Sequence, residues 1–203
     1  MSKHAFTAKS PSLCGHDNMT SFSYGKGART QERLYASATL CAECSAKVMA
    51  AVPNAVKGFH KMALPTMLGR AAQIKWANSI RLGFIRQLGP VMSELAKQAD
   101  PLSVAALAVY EMLFKIQLAS FWIDNRESKF TSTWVRTEVE CLLRDRLHSA
   151  ILPSTMSAFD YWNKTDFGPI RDACANIEQV REYLGWHQEL LIPVAETRAL
   201  QTA

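Results

Sequence analysis

The sequence predicts a mainly α-helical protein with a small Cys/His-containing module at its N-terminus. Three of the five cysteines fall within residues 12–49, and apolar residues recur at helical spacing through most of the later chain. We therefore expect a β-hairpin and helix module over residues 1–64. A bundle of about five helices is expected over residues 71–203.

Residues 12–49 contain two closely spaced pairs of candidate metal ligands. Cys41-Ala42-Glu43-Cys44 has the spacing that metal-binding pairs use, and helix-forming residues follow it. A helix start favours the thiolate over the thiol, because N–H groups and the positive end of the helix dipole face the sulfur. The pattern predicts a structural zinc ion held by Cys14, His16, Cys41 and Cys44.

The stretch between the two pairs is predicted to form a β-hairpin. Residues 20–25 alternate polar residues with Phe22 and Tyr24, Gly25-Lys26-Gly27 offers a turn, and residues 32–40 supply the second strand. A knuckle, a hairpin and then a helix with the last two ligands is the order that defines a treble-clef zinc finger. The segment resembles that family, and the resemblance implies a zinc cofactor.

The fourth ligand leaves alternatives open. A treble clef opens with Cys-x-x-Cys, but Pro11 stands three positions before Cys14, so His16 has to complete the set, with His4 as its rival. Three ligands and a water would instead make an open, catalytic zinc. Two buried cysteines at a helix start would need no metal. An odd cysteine count and the lack of a signal peptide favour a reducing, cytoplasmic compartment over a disulfide.

The formal charge of +5 is concentrated at the N-terminal end. Residues 1–72 carry nine Lys or Arg against three acids, a net +6, whereas residues 73–203 carry 14 against 15, a net −1. Phe22, Tyr24 and Tyr35 could stack on bases, but a hairpin this small needs them for its own burial. Because clustered cations neutralise phosphates, we expect nucleic acid or a nucleoprotein complex to be bound by Lys26, Arg29, Arg33, Lys57 and Lys61.

The chain from residue 71 onward is predicted to form a series of helices. Residues 71–88 form an amphipathic helix with its cations, including Arg81, on the solvent side. Gly89-Pro90 is expected to end that helix and to begin a short one that reaches residue 98. The longest and most buried helix is expected over residues 101–125, with Asp100 as its N-cap. Further helical segments are predicted at residues 132–151, 154–162, 169–184 and from 186 onward.

Two sets of side chains in the helices are assigned from their neighbours. Those expected in or near the core are Trp76, Trp122, Trp134, Cys141 and Cys174. Those expected to form exposed i, i+3 and i, i+4 charge pairs are Glu138, Arg144, Asp145 and Arg146. His148 and His187 have no carboxylate or cysteine partner nearby in sequence, so both are expected to be ordinary helical histidines.

Two short segments behind the Cys/His module carry a further resemblance. QIKWANSIR at residues 73–81 and FWIDNR at residues 121–126 resemble segments of uncharacterised proteins of phages, plasmids and integrated elements. The chain lacks a Gly-rich phosphate loop, Gly-x-Ser-x-Gly and His-Glu-x-x-His, which favours a non-enzyme. We expect a binding protein of a mobile element that contacts nucleic acid and inhibits a host defence system, as anti-CRISPR or anti-restriction proteins do.

Two other functions are consistent with the same sequence. A nuclease or other phosphate-acting enzyme would use Asp124 and Arg126, although an Arg at a helix end more often pairs with a neighbouring acid. A zinc-stabilised module would instead bind another protein, or form a homodimer through its helical region. No membrane partner is expected, because the most apolar run, residues 102–122, is interrupted by Glu111 and Lys115.

Overall fold

The N-terminus forms a two-stranded antiparallel hairpin. The computed structural model describes residues 5–144 and 154–186. In it, β1 (Ala5–Pro11) pairs with β2 (Asp17–Ser23), and Phe6 lies opposite Phe22. Alternate side chains of both strands are shielded from solvent, as the period of a half-buried strand requires. The hairpin therefore has one solvent face and one face that packs against the rest of the protein.

A helix, α1 (Lys26–Ala38), covers the inner face of this hairpin. The prediction of a second strand at residues 32–40 was wrong, and so was the turn at Gly25-Lys26-Gly27, because Gly25 is the N-cap of α1. Glu32 favours the helix over the predicted strand, because in the helix its carboxylate accepts hydrogen bonds from the backbone N–H and the hydroxyl of Ser23, both at 2.7 Å. One turn later, Ala36 and Ala38 are buried.

A second helix, α2 (Ala42–Ala50), begins after a short break and is followed by an extended segment, residues 51–70. This segment contains no helix, yet it is held at several points. Leu68 forms a parallel bridge with Leu118, and Arg81 Nη1 donates a hydrogen bond of 3.1 Å to the carbonyl oxygen of Pro65. Arg81 is only 5% exposed, so the prediction that it faces solvent was wrong.

The longest helix of the described chain is α3 (Ala71–Leu95), which continues through Gly89-Pro90. The predicted break at this dipeptide was wrong. Proline inside a helix costs about 3 kcal/mol, but Leu88, Met92 and Leu95 lie on the buried side around it. Burial of one such side chain contributes about 1.5–3 kcal/mol, so packing outweighs the local preference for a break.

Among the described helices α4 (Pro101–Phe114) has the most buried residues, nine, but the prediction that it is the longest was wrong, because it ends eleven residues earlier than expected. Asp100 is its N-cap, and its carboxylate accepts a hydrogen bond of 3.0 Å from the N–H of Ser103. The segment after the helix pairs with Leu68 instead of continuing the helix. The N–H of Leu68 donates to the carbonyl of Gln117, and the carbonyl of Leu68 accepts from the N–H of Ala119, both at 2.8 Å. A short helix, α5 (Ala119–Asp124), follows.

The remaining described helices surround α4. They are α6 (Ser132–Leu143), α7 (Ala158–Thr165), α8 (Gly168–Ala173) and α9 (Ile177–Tyr183). The helix expected over residues 169–184 is thus two helices. The predictions for residues 145–153, which include Asp145, Arg146 and His148, concern residues outside the described ranges, as do those for residues 187–203.

One hydrophobic core extends from the Cys/His segment through the helical body. Trp122 and Trp134 are buried in it, as predicted, whereas Trp76 is half exposed and the prediction for it was wrong. Cys141 is buried, and Cys174 is partly buried. The fold class is confirmed: a mainly α protein that begins with a small hairpin module. Among the described helices, none has the length and apolar content needed to cross a membrane.

Candidate metal centre

The hairpin loop brings the first two candidate ligands together. Ser12 donates its N–H to the carbonyl of His16 at 3.0 Å, and Gly15 donates to the carbonyl of Ser12 at 2.9 Å. Gly15 has φ of +77°, a conformation that suits glycine because it has no Cβ. The tight turn directs Cys14 and His16 to the same side of the hairpin, towards the start of α2.

The second two ligands lie at the N-terminus of α2, as the sequence predicted. Cys41 is the N-cap residue, and its Sγ accepts a hydrogen bond from the N–H of Cys44 at 3.4 Å. The N–H of Cys41 in turn donates to Cys14 Sγ at 3.5 Å. These N–H groups favour negative charge on the sulfur atoms, as does the positive end of the helix dipole.

The four ligand atoms of Cys14, His16, Cys41 and Cys44 all lie within 4.8 Å of one another. His16 Nδ1 lies 3.7 Å from Cys41 Sγ and 3.4 Å from Cys44 Sγ. A tetrahedral ion with metal–sulfur bonds of about 2.3 Å would separate its ligands by roughly 3.5–3.8 Å. The group could therefore hold a metal ion without a large rearrangement of the backbone.

The electrostatics of the cluster fit a cation. Burial raises the pKa of the Cys14 thiol, and burial together with the neighbouring sulfurs raises that of Cys44. Burial also acts to raise the pKa of Cys41, but hydrogen bonds, first from the N–H of Cys44, lower it overall. Three thiolates so close together repel one another in a buried site, and a bound cation removes that cost by holding the thiols deprotonated.

The cluster is enclosed by the helical body as well as by its own module. Cys14 and Cys44 are 0% and 1% exposed, and His16 is partly buried. Cys44 Sγ lies 3.7 Å from the carbonyl oxygen of Leu184, at the end of α9. Gly185 lies beside the His16 ring with φ of +66°. The candidate centre thus sits where the hairpin loop, α2 and the end of α9 meet.

The arrangement around the cluster differs from that of a treble clef. Cys14 and His16 lie inside the hairpin loop, whereas a treble clef places its first ligands ahead of the hairpin. A helix, α1, also separates the hairpin from α2. His4, the rival fourth ligand, lies outside the described residues. His16 is the histidine that the described structure places beside the three cysteines.

A buried ionic network on α6 was missed by the sequence reasoning. Glu138, Glu140 and Arg144 are 0%, 1% and 6% exposed, so the expectation of exposed charge pairs was wrong for Glu138 and Arg144. Glu140 accepts a hydrogen bond from Arg136 at 2.8 Å and lies 3.7 Å from Arg144 Nη2. The sequence signal for it is the i, i+4, i+8 spacing of Arg136, Glu140 and Arg144, on the same side of the helix as the buried Leu143.

The predicted binding cations differ in how much they are engaged by the protein itself. Arg29 is partly buried, donates to the carbonyl of Tyr24 at 2.9 Å and lies over the Phe6 ring, 5.5 Å from its centroid. Within residues 5–144 and 154–186, the other four are exposed and have no carboxylate at ion-pair distance. These are Lys26, Arg33, Lys57 and Lys61.

The aromatic residues of the module also differ in how far they are buried. Phe22 is buried, and its ring centroid lies 5.8 Å from that of Phe6. Tyr24 contacts Phe6 at 5.4 Å but is 60% exposed, and Tyr35 is also more than half exposed. The expectation that the module buries its aromatics is therefore confirmed for Phe22 but wrong for Tyr24 and Tyr35.

Asp124 and Arg126 do not form a common site. Asp124 is exposed at the end of α5 and lines a cleft together with Asp160 and Lys164. Arg126 donates to the carbonyl of Ile123 at 3.0 Å, and its Nε lies 3.6 Å from a carboxylate oxygen of Glu127. The prediction that this Arg pairs with a neighbouring acid is confirmed.

Comparisons with known proteins give no relative for this chain: no family model, no curated protein and no solved structure matches it.

Proposed function

We propose that this chain is a non-enzymatic nucleic-acid-binding protein in which a structural zinc ion joins the hairpin loop to α2 within the N-terminal module. Zinc is the metal that suits a tetrahedral set of three thiolates and one imidazole. Cys14, His16, Cys41 and Cys44 would fill all four positions. Such a closed set leaves no position for a reacting water, which is the mark of a structural site and not a catalytic one.

The binding part of the proposal rests on one observation. Lys26, Arg33, Lys57 and Lys61 are exposed, and none has an ion-pair partner within the described part of the chain. A cation that is already paired gains little from a phosphate, whereas an unpaired cation releases condensed counterions when it neutralises one. Arg29 supports the surface indirectly, because its guanidinium packs on Phe6 and fixes the start of α1.

A nuclease is less well supported, because the guanidinium of Arg126 is already engaged by the carbonyl of Ile123, by Glu127 and by the ring of Trp76. The origin in a mobile element, the inhibition of a host defence complex and the homodimer stay predictions. The zinc ion and the basic surface are independent of all three.

The zinc site is tested by elemental analysis of the purified protein and its variants. We expect one zinc per chain in the natural protein, and loss of zinc with loss of stability in Cys44→Ser and His16→Ala. Cys174→Ser is the matched control, since Cys174 lies outside the cluster and is only partly buried. Full zinc content in His16→Ala would contradict the assigned ligand set.

The nucleic-acid surface is tested by the salt dependence of binding to labelled DNA and RNA. Lys26→Gln with Arg33→Gln is expected to weaken binding and to flatten its salt dependence, because fewer counterions are released. Lys164→Gln, an exposed cation on α7, is the control. Binding that is absent in the zinc-loaded natural protein at low salt would overturn the proposed function.

A further inference from the structure

A long stretch of the chain has no acidic residue. Residues 45–93 contain seven Lys or Arg and no Asp or Glu. In the folded protein, Lys47 pairs with Glu43 and Arg81 is buried. The other five are exposed and have no ion-pair partner among the described residues: Lys57, Lys61, Arg70, Lys75 and Arg86.

The solvent side of α3 forms one part of this basic surface. Lys75, Ser79, Leu82 and Arg86 follow one another at spacings of four, three and four residues, so they lie along one face of the helix. All four are exposed, and Leu82 is 48% exposed. Continuing the same spacing by one more turn leads to Pro90, which is buried.

Pro90 is buried because the extended segment crosses α3 at this point. Gly58 has φ of +134°, and a Cβ at this position would lie 2.9 Å from Ser93 Cβ and 3.5 Å from Pro90 Cα. Only glycine allows so close an approach. The neighbours of Gly58, which include Lys57 and Phe59, are therefore held at the end of the exposed face of α3.

The segment is also fixed on its other side. His60 Nε2 lies 3.0 Å from a carboxylate oxygen of Glu111 on α4. With Gly58 and His60 both anchored, the residues beside them are presented to solvent from a fixed backbone. Phe59 is 74% exposed and Val56 is 90% exposed. A fixed loop that exposes a phenyl ring between two lysines is suited to a partner that offers both negative charge and flat apolar surfaces.

We propose that Lys57, Phe59, Lys61, Lys75 and Arg86 form a binding surface for single-stranded nucleic acid, with Phe59 stacking on a base. This inference rests on the proposed function and names its substrate class. The unpaired cations follow the phosphate backbone, and an exposed ring stacks on any base that is free of a duplex. In a duplex the bases are stacked on one another, so Phe59 would gain no contact there.

The inference is tested by fluorescence anisotropy with a labelled single strand of about 20 nucleotides and the duplex of the same sequence. The zinc-loaded protein is expected to bind the single strand more tightly. Phe59→Ala should weaken single-strand binding by about tenfold and leave duplex binding unchanged. Val56→Ala is the matched control, because Val56 lies in the same loop and is more exposed, but has no ring.

The cations are tested with Lys75→Gln and Arg86→Gln, together and against Lys164→Gln on α7. The salt slope for the single strand should fall by about 0.7 for each phosphate contact that is lost. Both variants remove exposed side chains, and a thermal unfolding curve verifies that each protein is folded.

The outcomes separate the two proposals. If the protein binds no nucleic acid, both fail. If the duplex binds as tightly as the single strand and Phe59→Ala has no effect, the single-strand inference is overturned while nucleic-acid binding stands. Equal competition by a polyglutamate peptide would also overturn the inference, because it would assign the surface to an acidic protein.

Discussion

Glu140 on α6 accepts a hydrogen bond of 3.0 Å from the backbone N–H of Leu40, the residue immediately before Cys41. Arg144, the C-cap residue of α6, donates from Nε to the carbonyl oxygen of Ala38 at 2.7 Å. Glu140 and Arg144 thus bind the N–H of Leu40 and the carbonyl of Ala38, two backbone groups that lie just before Cys41. This contact links the small N-terminal module to the helical body through buried polar groups.

We expect Glu140→Gln to destabilise the protein by roughly 3 kcal/mol. Glutamine can still accept the hydrogen bond from Leu40, but it removes the carboxylate charge that lies 3.7 Å from the buried guanidinium of Arg144. Urea unfolding measures the effect. Glu127→Gln is the control, because the side chain of Glu127 is 89% exposed and its pair with Arg126 is long. A change for Glu140→Gln as small as that of the control would show that the network adds nothing to stability.

Glu138 is expected to make stability depend on pH. Burial, more than any other cause, raises the pKa of its carboxyl from 4.5 to about 7. Between these values the folded protein holds a proton that the unfolded chain has released, so stability falls as the pH rises through this window. The full difference corresponds to roughly 3 kcal/mol.

The matching variant is Glu138→Gln, which keeps an oxygen to accept the hydrogen bond from the N–H of Phe159, now 2.8 Å from Glu138 Oε2. Its unfolding free energy relative to the natural protein should rise from pH 4.5 to pH 8. Because both proteins have the same candidate metal centre, any effect of acid on that centre cancels in the difference. A difference that stays constant with pH would disprove the assigned titration.

Two glycines should respond oppositely to alanine. Gly58→Ala is expected to destabilise the protein by about 1–3 kcal/mol, because φ of +134° is strained for alanine and the new Cβ would meet Ser93. Gly83→Ala should stabilise it by about 0.5–1 kcal/mol, because Gly83 lies inside α3 with open space around its Cα. Thermal unfolding of the two variants measures both effects, and equal shifts would contradict the anchoring of the loop on α3.

Features with a local cause could be predicted from the sequence. The spacing of Cys41 and Cys44 before helix-forming residues predicts thiols at a helix start, and the structure has them there. Asp100 before Pro101 predicts the start of α4, and the side-chain cap is formed. In both cases the residues that determine the structure are within one helical turn of each other, so the pattern can be read without knowledge of the fold.

Features that depend on distant residues could not be predicted in this way. The helix α1 is stabilised by a hydrogen bond from Ser23 of the hairpin to Glu32. The segment after α4 is paired with Leu68. Glu140 has the i, i+4 spacing of exposed charge pairs with Arg136 and Arg144, but it is buried and also accepts from the N–H of Leu40, and buried Glu138 accepts from the N–H of Phe159. A helical wheel ranks faces by polarity, and it cannot show that a polar side chain has a buried partner elsewhere in the chain.

Residue type and short spacing were enough to predict the helical class, the three cysteines of the candidate metal centre and the excess of positive charge near the N-terminus. Only the folded chain places Cys14 and His16 in the hairpin loop opposite α2, with the end of α9 beside the candidate site. It also decided which cations face solvent and which, like Arg81, are used inside. These outcomes depend on burial, and burial is determined only when segments far apart in sequence pack together.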